Sequence, residues 1–338
     1  MELLTLSYPV FTQLAGVIFE KRLDSVPQYA RSSGLFKEEM IPANTGDVRN
    51  YTEIDTEEYA DEKDEDDQAS RLKIQGGYDK NVYPKRVAKN VGISYEMRTR
   101  NKYQDIIDRL TSLVDLCTNR MDLDLTHRLT FGAETNGYYT NKNGRRVDIT
   151  TGDGLPLFYT AKLLKGSSTT YRNRLANNPQ FSKGALENIQ RLEVEETYNH
   201  LGEKVVINFD IVWSGDDPNT RNSIEEEIKS TASTQVSNSG VINVNYQKYR
   251  HVILPRLATT ATGANDSTKR KYWGTASSSK TTAHLAIWEA PHMLAMPASG
   301  NNGEDKYTDS WEFGTRAGYG IGIVTGNWIR FSSGDATP

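Results

Sequence analysis

Carboxylate side chains are concentrated in one segment of this chain: ten of them lie between positions 51 and 70, where the only base is one lysine. Such density suits a divalent cation, but a calcium loop needs ligands at fixed spacing around a turn glycine. The run DEKDEDD at 61–67 has neither feature. The next segment, 71–100, carries eight bases against two acids. Adjoining limbs of opposite charge indicate a surface that pairs with complementary charge on another molecule, and a solvated acidic linker is the alternative interpretation.

The candidate contact residues are charged side chains of these two limbs. They are Glu57, Glu58, Asp61, Glu62, Asp64, Glu65, Asp66, Asp67, Lys80, Lys85, Arg86 and Lys89. Because like charges repel, the acids need a cationic surface opposite them. Which charges pair stays open at this point.

The common catalytic and cofactor motifs are missing from the sequence. None of the five histidines stands at i, i+4 from another, the spacing of helical zinc ligands. The glycines of GYGIG at 318–322 are followed by a strand-like stretch, whereas a phosphate loop opens a helix. Cys117 lies on an apolar stripe and is predicted to be a core residue, and His127 is predicted to lie on a helix surface. We predict no catalytic residue, no cofactor and no metal ligand.

The protein is therefore not expected to be an enzyme. A hydrolase with an acidic active site stays open as an alternative, since two of the many carboxylates can meet in space.

Composition narrows the class of protein. The chain has 338 residues, a formal net charge of −4 and 36% hydrophobic residues, enough for the cores of about two domains. The negative net charge gives no global attraction to nucleic acid or to an anionic membrane. No apolar run approaches the roughly 18 residues of a membrane-spanning helix, and the N-terminus lacks the basic start of a signal peptide. One cysteine excludes an internal disulfide framework and fits a reducing cytoplasm.

One long helix is predicted between 101 and 132, where apolar residues recur every three or four positions. About 30 residues make a rod of roughly 45 Å, long enough to span a domain. The spacing drifts from a strict heptad, so a coiled coil is not favoured. Gly132 supplies the stop. A short amphipathic helix from Pro9 to Lys21 is predicted to dock on the rest of the protein.

The remaining elements mix helices and strands. Ser182 is predicted to cap a helix that Gly202 ends, and Asp217 with Pro218 to open another. Strands are predicted at 204–213, 241–246, 251–257 and 284–288, a loop around a short strand at 258–282, and one or two strands at 309–331. There is no repeating βα rhythm, which predicts the α+β class.

The charged limbs are also strand-like. From Tyr83 to Met97 the odd positions form a face that is apolar at its far end, and the outgoing limb at 47–59 has a similar pattern. Together they predict a two-stranded arm over 47–97 with an acidic tip. Because a lone hairpin is only marginally stable in water, we expect this arm to gain its order from a neighbouring molecule.

The stretch 153–189 resembles a segment of the major capsid proteins of tailed bacteriophages, the Hong Kong 97 (HK97) family. The matching positions are Asp153, Gly154, Leu157, Phe158, Gly166, Asn173, Leu175, Ser182 and Leu186. Family members often have His-Pro in the turn where this chain has Lys162-Leu163. The resemblance extends over nearly the whole chain as an order of segments.

The resemblance implies an HK97-like capsid fold of the α+β class. Its parts are an N-terminal arm, an extended β-hairpin loop, a long spine helix, a peripheral sheet and a mixed α/β apical domain. The implied division is 1–46 for the arm, 47–97 for the extended hairpin loop, 98–152 for the spine helix and peripheral domain, 153–305 for the apical domain, and 306–338 for the return to the peripheral domain.

The implied function is a major capsid subunit that self-assembles into pentamers and hexamers of an icosahedral shell around double-stranded DNA. The implied partners are copies of itself, portal and scaffolding proteins, a decoration protein, and DNA contacted without sequence specificity, with no membrane. The implied location is the virion, after assembly in the host cytoplasm. An encapsulin-like cellular compartment and a portal-adjacent or decoration protein stay open as alternatives. Some family members join subunits through a Lys–Asn isopeptide bond; no such pair is assigned or expected here.

Overall fold

The computed structural model describes residues 8–42, 46–55, 58–69, 71–72, 75–100, 102–199, 201–232, 242–295 and 309–335. Its helices are α1 Tyr8–Ser25, α2 Tyr95–Thr99, α3 Tyr103–Thr130, α4 Lys183–Glu195 and α5 Pro218–Lys229. Its strands are β1 Lys37–Met40, β2 Arg49–Asp55, β3 Gln75–Val82, β4 Lys85–Ser94, β5 Tyr138–Thr140, β6 Arg146–Asp148, β7 Lys162–Leu163, β8 Thr170–Tyr171, β9 Ile211–Ser214, β10 Arg250–Ile253, β11 Trp273–Ala276, β12 Ala283–Ala295 and β13 Ser310–Ile323.

The long helix predicted from the apolar periodicity is confirmed as α3, which has 28 residues. Its buried apolar stripe consists of Ile106, Leu110, Leu113, Val114, Cys117, Met121, Leu125 and Leu129. Cys117 is a core residue, as predicted. The stripe packs against α1 and against the sheet that contains β4, β12 and β13, so α3 supports the centre of the fold.

The prediction that His127 lies on a helix surface is wrong. The side chain is 1% exposed, and its Nε2 lies 3.0 Å from Thr259 Oγ1. The rings of Phe131 and Tyr139 meet it edge-on. Its sequence neighbours are polar, but this end of α3 is covered by the β5–β6 hairpin, and the resulting burial lowers the pKa of His127 to about 4.

The central sheet has the order β1–β12–β13–β4. β1 runs parallel to β12, and the other neighbours are antiparallel. α1 packs on one part of this sheet through Phe11, whose ring lies 5.0 Å from that of Trp311, so the predicted N-terminal helix is confirmed. GYGIG at 318–322 lies inside β13, as its strand-like context predicted.

A second, three-stranded sheet has the order β10–β9–β11 and packs with α4 and α5. Both predicted N-caps are confirmed: Ser182 Oγ accepts a hydrogen bond from the N–H of Ala185, and Asp217 Oδ2 accepts one from the N–H of Thr220, each at 3.2 Å. The strand predicted at 284–288 lies within the longer β12, and β11 is the short strand expected inside the 258–282 loop. The strand predicted at 251–257 is shorter, as β10.

The end predicted for the helix after Ser182 was too late. α4 ends at Glu195 because the following residues close a turn around Asn199. The Oδ1 of Asn199 accepts hydrogen bonds from the N–H groups of Leu201 and Glu203, and Gly202 adopts φ +84° there. The strand predicted at 204–213 is likewise limited to its last part, β9.

The strand predicted at 241–246 is also wrong; position 241 itself lies outside the described residues. Ile242 makes a single bridge to Ala232, and turns follow it. The side-chain amide of Asn243 donates to the carbonyls of Glu227 and Ser230. The asparagines therefore face inward onto α5, whereas Ile242 and Val244 are more than three-quarters exposed.

The predicted single arm over 47–97 needs the largest correction. β2 pairs with β3 as an antiparallel hairpin, but β4 leaves this hairpin and pairs with β13 along its whole length. The alternation predicted from Tyr83 onward is real, since Val87, Val91 and Ile93 face the cores beside α3. That face is buried by the chain itself, not by a neighbour. The division of the chain into arm, loop and domains stays a prediction.

Candidate inter-subunit surface

The β2–β3 hairpin is anchored at its base by apolar contacts. Tyr51 and Val82 pack against Ile41, Ala286 and Val324, and Tyr51 also stacks on the ring of His284 with centroids 4.0 Å apart. Two residues of the glycine motif in β13 make this approach possible. A Cβ at Gly320 or Gly322 would overlap the side chain of Val82, so the motif holds the hairpin close to the sheet and does not form a phosphate loop.

The acidic segment, residues 58–69, joins the two strands of this hairpin. It has no helix or strand, only a turn closed by a hydrogen bond of 3.2 Å from the N–H of Asp67 to the carbonyl of Asp64. Glu58 is half-buried, and the exposed acids are Asp61, Glu62, Asp64, Glu65, Asp66 and Asp67. Glu57 lies outside the described residues. No exposed acid of this segment forms an ion pair with another residue that the structure describes.

The four bases predicted to contact another subunit lie in different environments. Lys80 is already paired within the chain, because its Nζ lies 2.7 Å from Asp148 Oδ2 and 3.0 Å from Thr150 Oγ1. Arg86 and Lys89 are exposed on β4. Successive residues of a strand point to opposite faces, so these two side chains leave β4 on opposite sides. The structure therefore does not unite the four bases into one surface.

Lys85 is partly desolvated. It lies on the α3 side of β4, and although the residue is exposed overall, partial desolvation and the nearby charge of Arg128 lower its pKa to about 8. A lysine with this pKa loses part of its positive charge in mildly alkaline solution. Its attraction to a carboxylate therefore weakens as the pH rises above 8.

Large apolar side chains are exposed around the hairpin and on α1. Around the hairpin they are Met40, Val48, Ile54, Tyr59, Leu72 and Tyr83. On α1, Val10, Leu14 and Val17 form an exposed stripe opposite the face that packs on the sheet, so this helix is apolar on two sides. Contiguous exposed apolar surface marks sites of protein contact. The second stripe was not predicted from the sequence, although its spacing of four and three residues is visible there.

One arrangement has the connectivity of a hydrolase triad. His251 Nδ1 lies 2.6 Å from Glu225 Oε1, and His251 Nε2 lies 2.9 Å from Ser214 Oγ. A nucleophilic serine must reach a substrate carbonyl, but Ser214 is 0% exposed and its Oγ also donates to the carbonyl of Gly215 at 3.0 Å. The three groups connect α5 to β9 and β10 as a polar chain that is buried at Ser214 and partly exposed at Glu225.

Within the described ranges, no group of three or more potential ligands among His, Cys, Asp and Glu is arranged to hold a metal ion. None of the helices that the structure describes is both long and apolar enough to cross a membrane.

Comparison with known proteins gives a match in structure and none in sequence. No family model and no curated protein matches the chain. A virus-like particle from Pyrococcus furiosus is similar over 95% of this chain and 99% of its own, with 9% identity and a TM-score of 0.51. A structure from Gordonia phage Cozz is similar over 90% of this chain and 85% of its own, with 10% identity and a TM-score of 0.50. The chain therefore has the α+β, HK97-like fold of phage capsid proteins.

Proposed function

We propose that this chain is a shell-forming subunit, the major capsid protein of a tailed bacteriophage. The observation that carries the proposal is the acidic segment. It stands on a hairpin anchored to the body, it is exposed, and its six exposed acids lack ion pairs within the described part of the chain. In a monomer these acids contribute only to solubility, whereas in a shell they give the subunit an oriented contact with its neighbour.

The proposed assembly is a closed shell of pentamers and hexamers. The acidic segment of one subunit meets a different surface of the next, so the contact is heterologous and closes into rings. Each contact is weak because exposed ion pairs contribute about 0–1 kcal/mol each. A subunit in a shell is held by many such contacts at once, and their sum keeps the shell closed.

The proposed content of the shell is double-stranded DNA, contacted without sequence specificity. Portal, scaffolding and decoration proteins are proposed as further partners, the virion as the location, and the host cytoplasm as the place of assembly. We propose no catalytic role for the chain.

An encapsulin-like compartment is the second candidate, because the fold is shared with a virus-like particle that spans nearly the same length. Nuclease treatment followed by analysis of the particle contents separates the two: protected DNA supports the capsid, and protein cargo supports the compartment.

The test is charge reversal of the exposed acids, Asp61, Glu62, Asp64, Glu65, Asp66 and Asp67, to lysine. We expect the variant to lose assembly while circular dichroism and thermal unfolding of the subunit match the wild type. Electron microscopy of the expressed proteins gives the readout. Normal-looking particles from the reversed variant would contradict the proposal.

A further inference from the structure

The turn between β5 and β6, together with the first residue of β6, carries three bases and no acid. Lys142, Arg145 and Arg146 are exposed, and residues 136–147 contain no carboxylate side chain. Arg146 is held with its guanidinium 3.8 Å from the centre of the Tyr138 ring. We call Lys142, Arg145 and Arg146 the basic tip. None of them forms an ion pair with a residue that the structure describes.

The basic tip stands on a rigid base. Asn141 Oδ1 accepts hydrogen bonds from the N–H groups of Asn143 and Arg145 at 3.0 and 3.1 Å, and Gly144 adopts φ +72°, where a side chain would be strained. Below the turn, Tyr139 stacks on Phe131 with ring centroids 4.7 Å apart. The backbone that carries the three charges is therefore set by the fold before any partner binds.

The acid nearest to the basic tip in the sequence already forms an ion pair within the chain. Asp148, at the far end of β6, pairs with Lys80 and accepts hydrogen bonds from Thr150. Its neighbours lower its pKa, chiefly through the hydrogen bonds of Lys80 and Thr150, which outweigh partial burial that raises it. The tip thus keeps its positive charge available to an outside group.

The other basic groups of the chain are less suitable. Lys269 lies 3.4 Å from Asp266, and Arg270 lies 3.7 Å from Asp217, so the basic run at 269–271 is largely compensated. Arg86 and Lys89 leave β4 on opposite faces and cannot meet one partner together. The basic tip places three bases within five residues, and none of them forms an ion pair with a residue that the structure describes.

We propose that the basic tip receives the acidic segment of a second copy of this chain. The charges match: one surface has three bases and no free acid, and the other has six exposed acids and one lysine, Lys63. Within one chain the structure forms no ion pair between the two, so the contact joins different copies. The inference rests on the proposed function and deepens it, because it names the surface that the acidic segment meets.

Position-specific cross-linking tests the contact without requiring closed shells. Two chains are mixed, one carrying Asp64→Cys and the other Arg145→Cys, and the thiols are oxidised with diamide. We expect a disulfide-linked heterodimer on a non-reducing gel, at least about tenfold more abundant than from a control mixture with Lys21→Cys in place of Arg145→Cys, because proximity raises the effective concentration. The native Cys117 is buried and common to all mixtures.

The outcomes separate this inference from the proposed function. Shells without the specific cross-link would overturn the basic tip as the receiving surface and leave the shell function intact. A specific cross-link without shells would support the contact and overturn the shell function. Equal cross-linking in both mixtures would overturn the inference as well.

A charge swap gives an independent test. Lys142→Glu/Arg145→Glu/Arg146→Glu and Asp61→Lys/Glu62→Lys/Asp64→Lys are each expected to raise the concentration needed for assembly at least about tenfold. Combining the two sets is expected to restore assembly. The matched control, Lys21→Glu/Arg191→Glu/Lys248→Glu, changes net charge equally at exposed sites elsewhere and is expected to assemble.

Three results would overturn the proposal: normal assembly of the tip variant, failure of the combined variant, or equal loss in the control. If the tip variant assembles normally but no longer retains double-stranded DNA, the tip binds nucleic acid, and the pairing with a second copy is likewise overturned.

Discussion

Trp213 and the acidic segment represent opposite extremes of burial in this chain. Trp213 is 0% exposed, and its ring stacks with those of Phe158 and Phe331 at 6.0 and 6.1 Å. The acidic segment is exposed; one contact that it makes with the rest of the protein is the 2.8 Å hydrogen bond that the Tyr59 hydroxyl donates to the carbonyl of Lys204. The core is thus specified by contacts within its own chain, whereas the acidic segment is the part that we propose to contact another copy.

The largest effect is expected when the buried aromatic side chain of Trp213 is removed. Trp213→Ala should lower the free energy of unfolding by about 3–5 kcal/mol, because a fully buried ring leaves a cavity. Urea titration followed by far-UV circular dichroism measures the loss. Val206→Ala is the control, since Val206 is 87% exposed, and it should stay within about 0.5 kcal/mol of the wild type. Similar losses for both variants would contradict the contrast.

The second test compares a buried carboxylate with an exposed one. Burial raises the pKa of Glu193 to about 7, although Thr275 and Arg330 favour the ionised form. The folded state thus binds the proton of Glu193 more tightly than the unfolded state does. The stability that comes from this protonated side chain is complete below pH 4.5 and is lost as the pH rises towards 7. Glu193→Gln should remove that loss and raise stability at pH 8 by on the order of 3 kcal/mol.

Unfolding of Glu193→Gln at a series of pH values provides the measurement, with no difference expected below pH 4.5. Glu195→Gln, at an exposed position of the same helix, is the control and should have little effect. A lower stability of Glu193→Gln at pH 8 would mean that the ionised form is the favoured partner of Arg330.

The third test concerns the anchor of the hairpin, which lies between the two extremes. Gly322→Ala should cost roughly 1–3 kcal/mol through overpacking against Val82. Thermal unfolding measures the cost, and proteolysis should become faster in the hairpin than in the central sheet. Gly76→Ala is the control in β3, because nothing lies near its Cβ position. An unchanged hairpin in Gly322→Ala would mean that the glycine motif does not set its distance from β13.

The smallest effect is expected in the acidic segment itself. Changing its exposed acids, Asp61, Glu62, Asp64, Glu65, Asp66 and Asp67, to Asn or Gln should alter the unfolding free energy of the subunit by less than about 0.5 kcal/mol. The same variant should assemble less well than the wild type. Differential scanning calorimetry on unassembled subunits, beside particle counts, measures both. A large loss of subunit stability would mean that these acids serve the fold of their own chain.

Sequence patterns predicted the elements whose signals are local. The apolar spacing of α3 and the caps Ser182 and Asp217 were sufficient to place their helices, because these contacts form between near neighbours in the chain. His127 was misplaced for the opposite reason: its covering residues, Thr259 and Tyr139, are distant in sequence or lie in another element. The 241–246 strand failed because the buried side of that segment is made of asparagines that bond to α5.

The candidate surface was predicted in part. The charge asymmetry of the two limbs identified the acidic segment, and its exposure agrees with that interpretation. The bases that would face it were sought in the adjoining limb, where Lys80 turned out to pair with Asp148. The bases at Lys142, Arg145 and Arg146 were overlooked, although an Asn-Gly turn flanked by cations is visible in the sequence.

By itself, the sequence determined the net charge of the segments 51–70 and 71–100, the apolar periodicity of α3 and the residues that cap the helices α4 and α5. These features depend on side-chain type and on neighbours a few positions away. Only the tertiary structure decided that β4 leaves the hairpin for β13, that Lys80 pairs with Asp148, and that the basic tip forms no ion pair with a described residue. Each of these depends on which distant segments share a surface, and that is set by the packing of the whole chain.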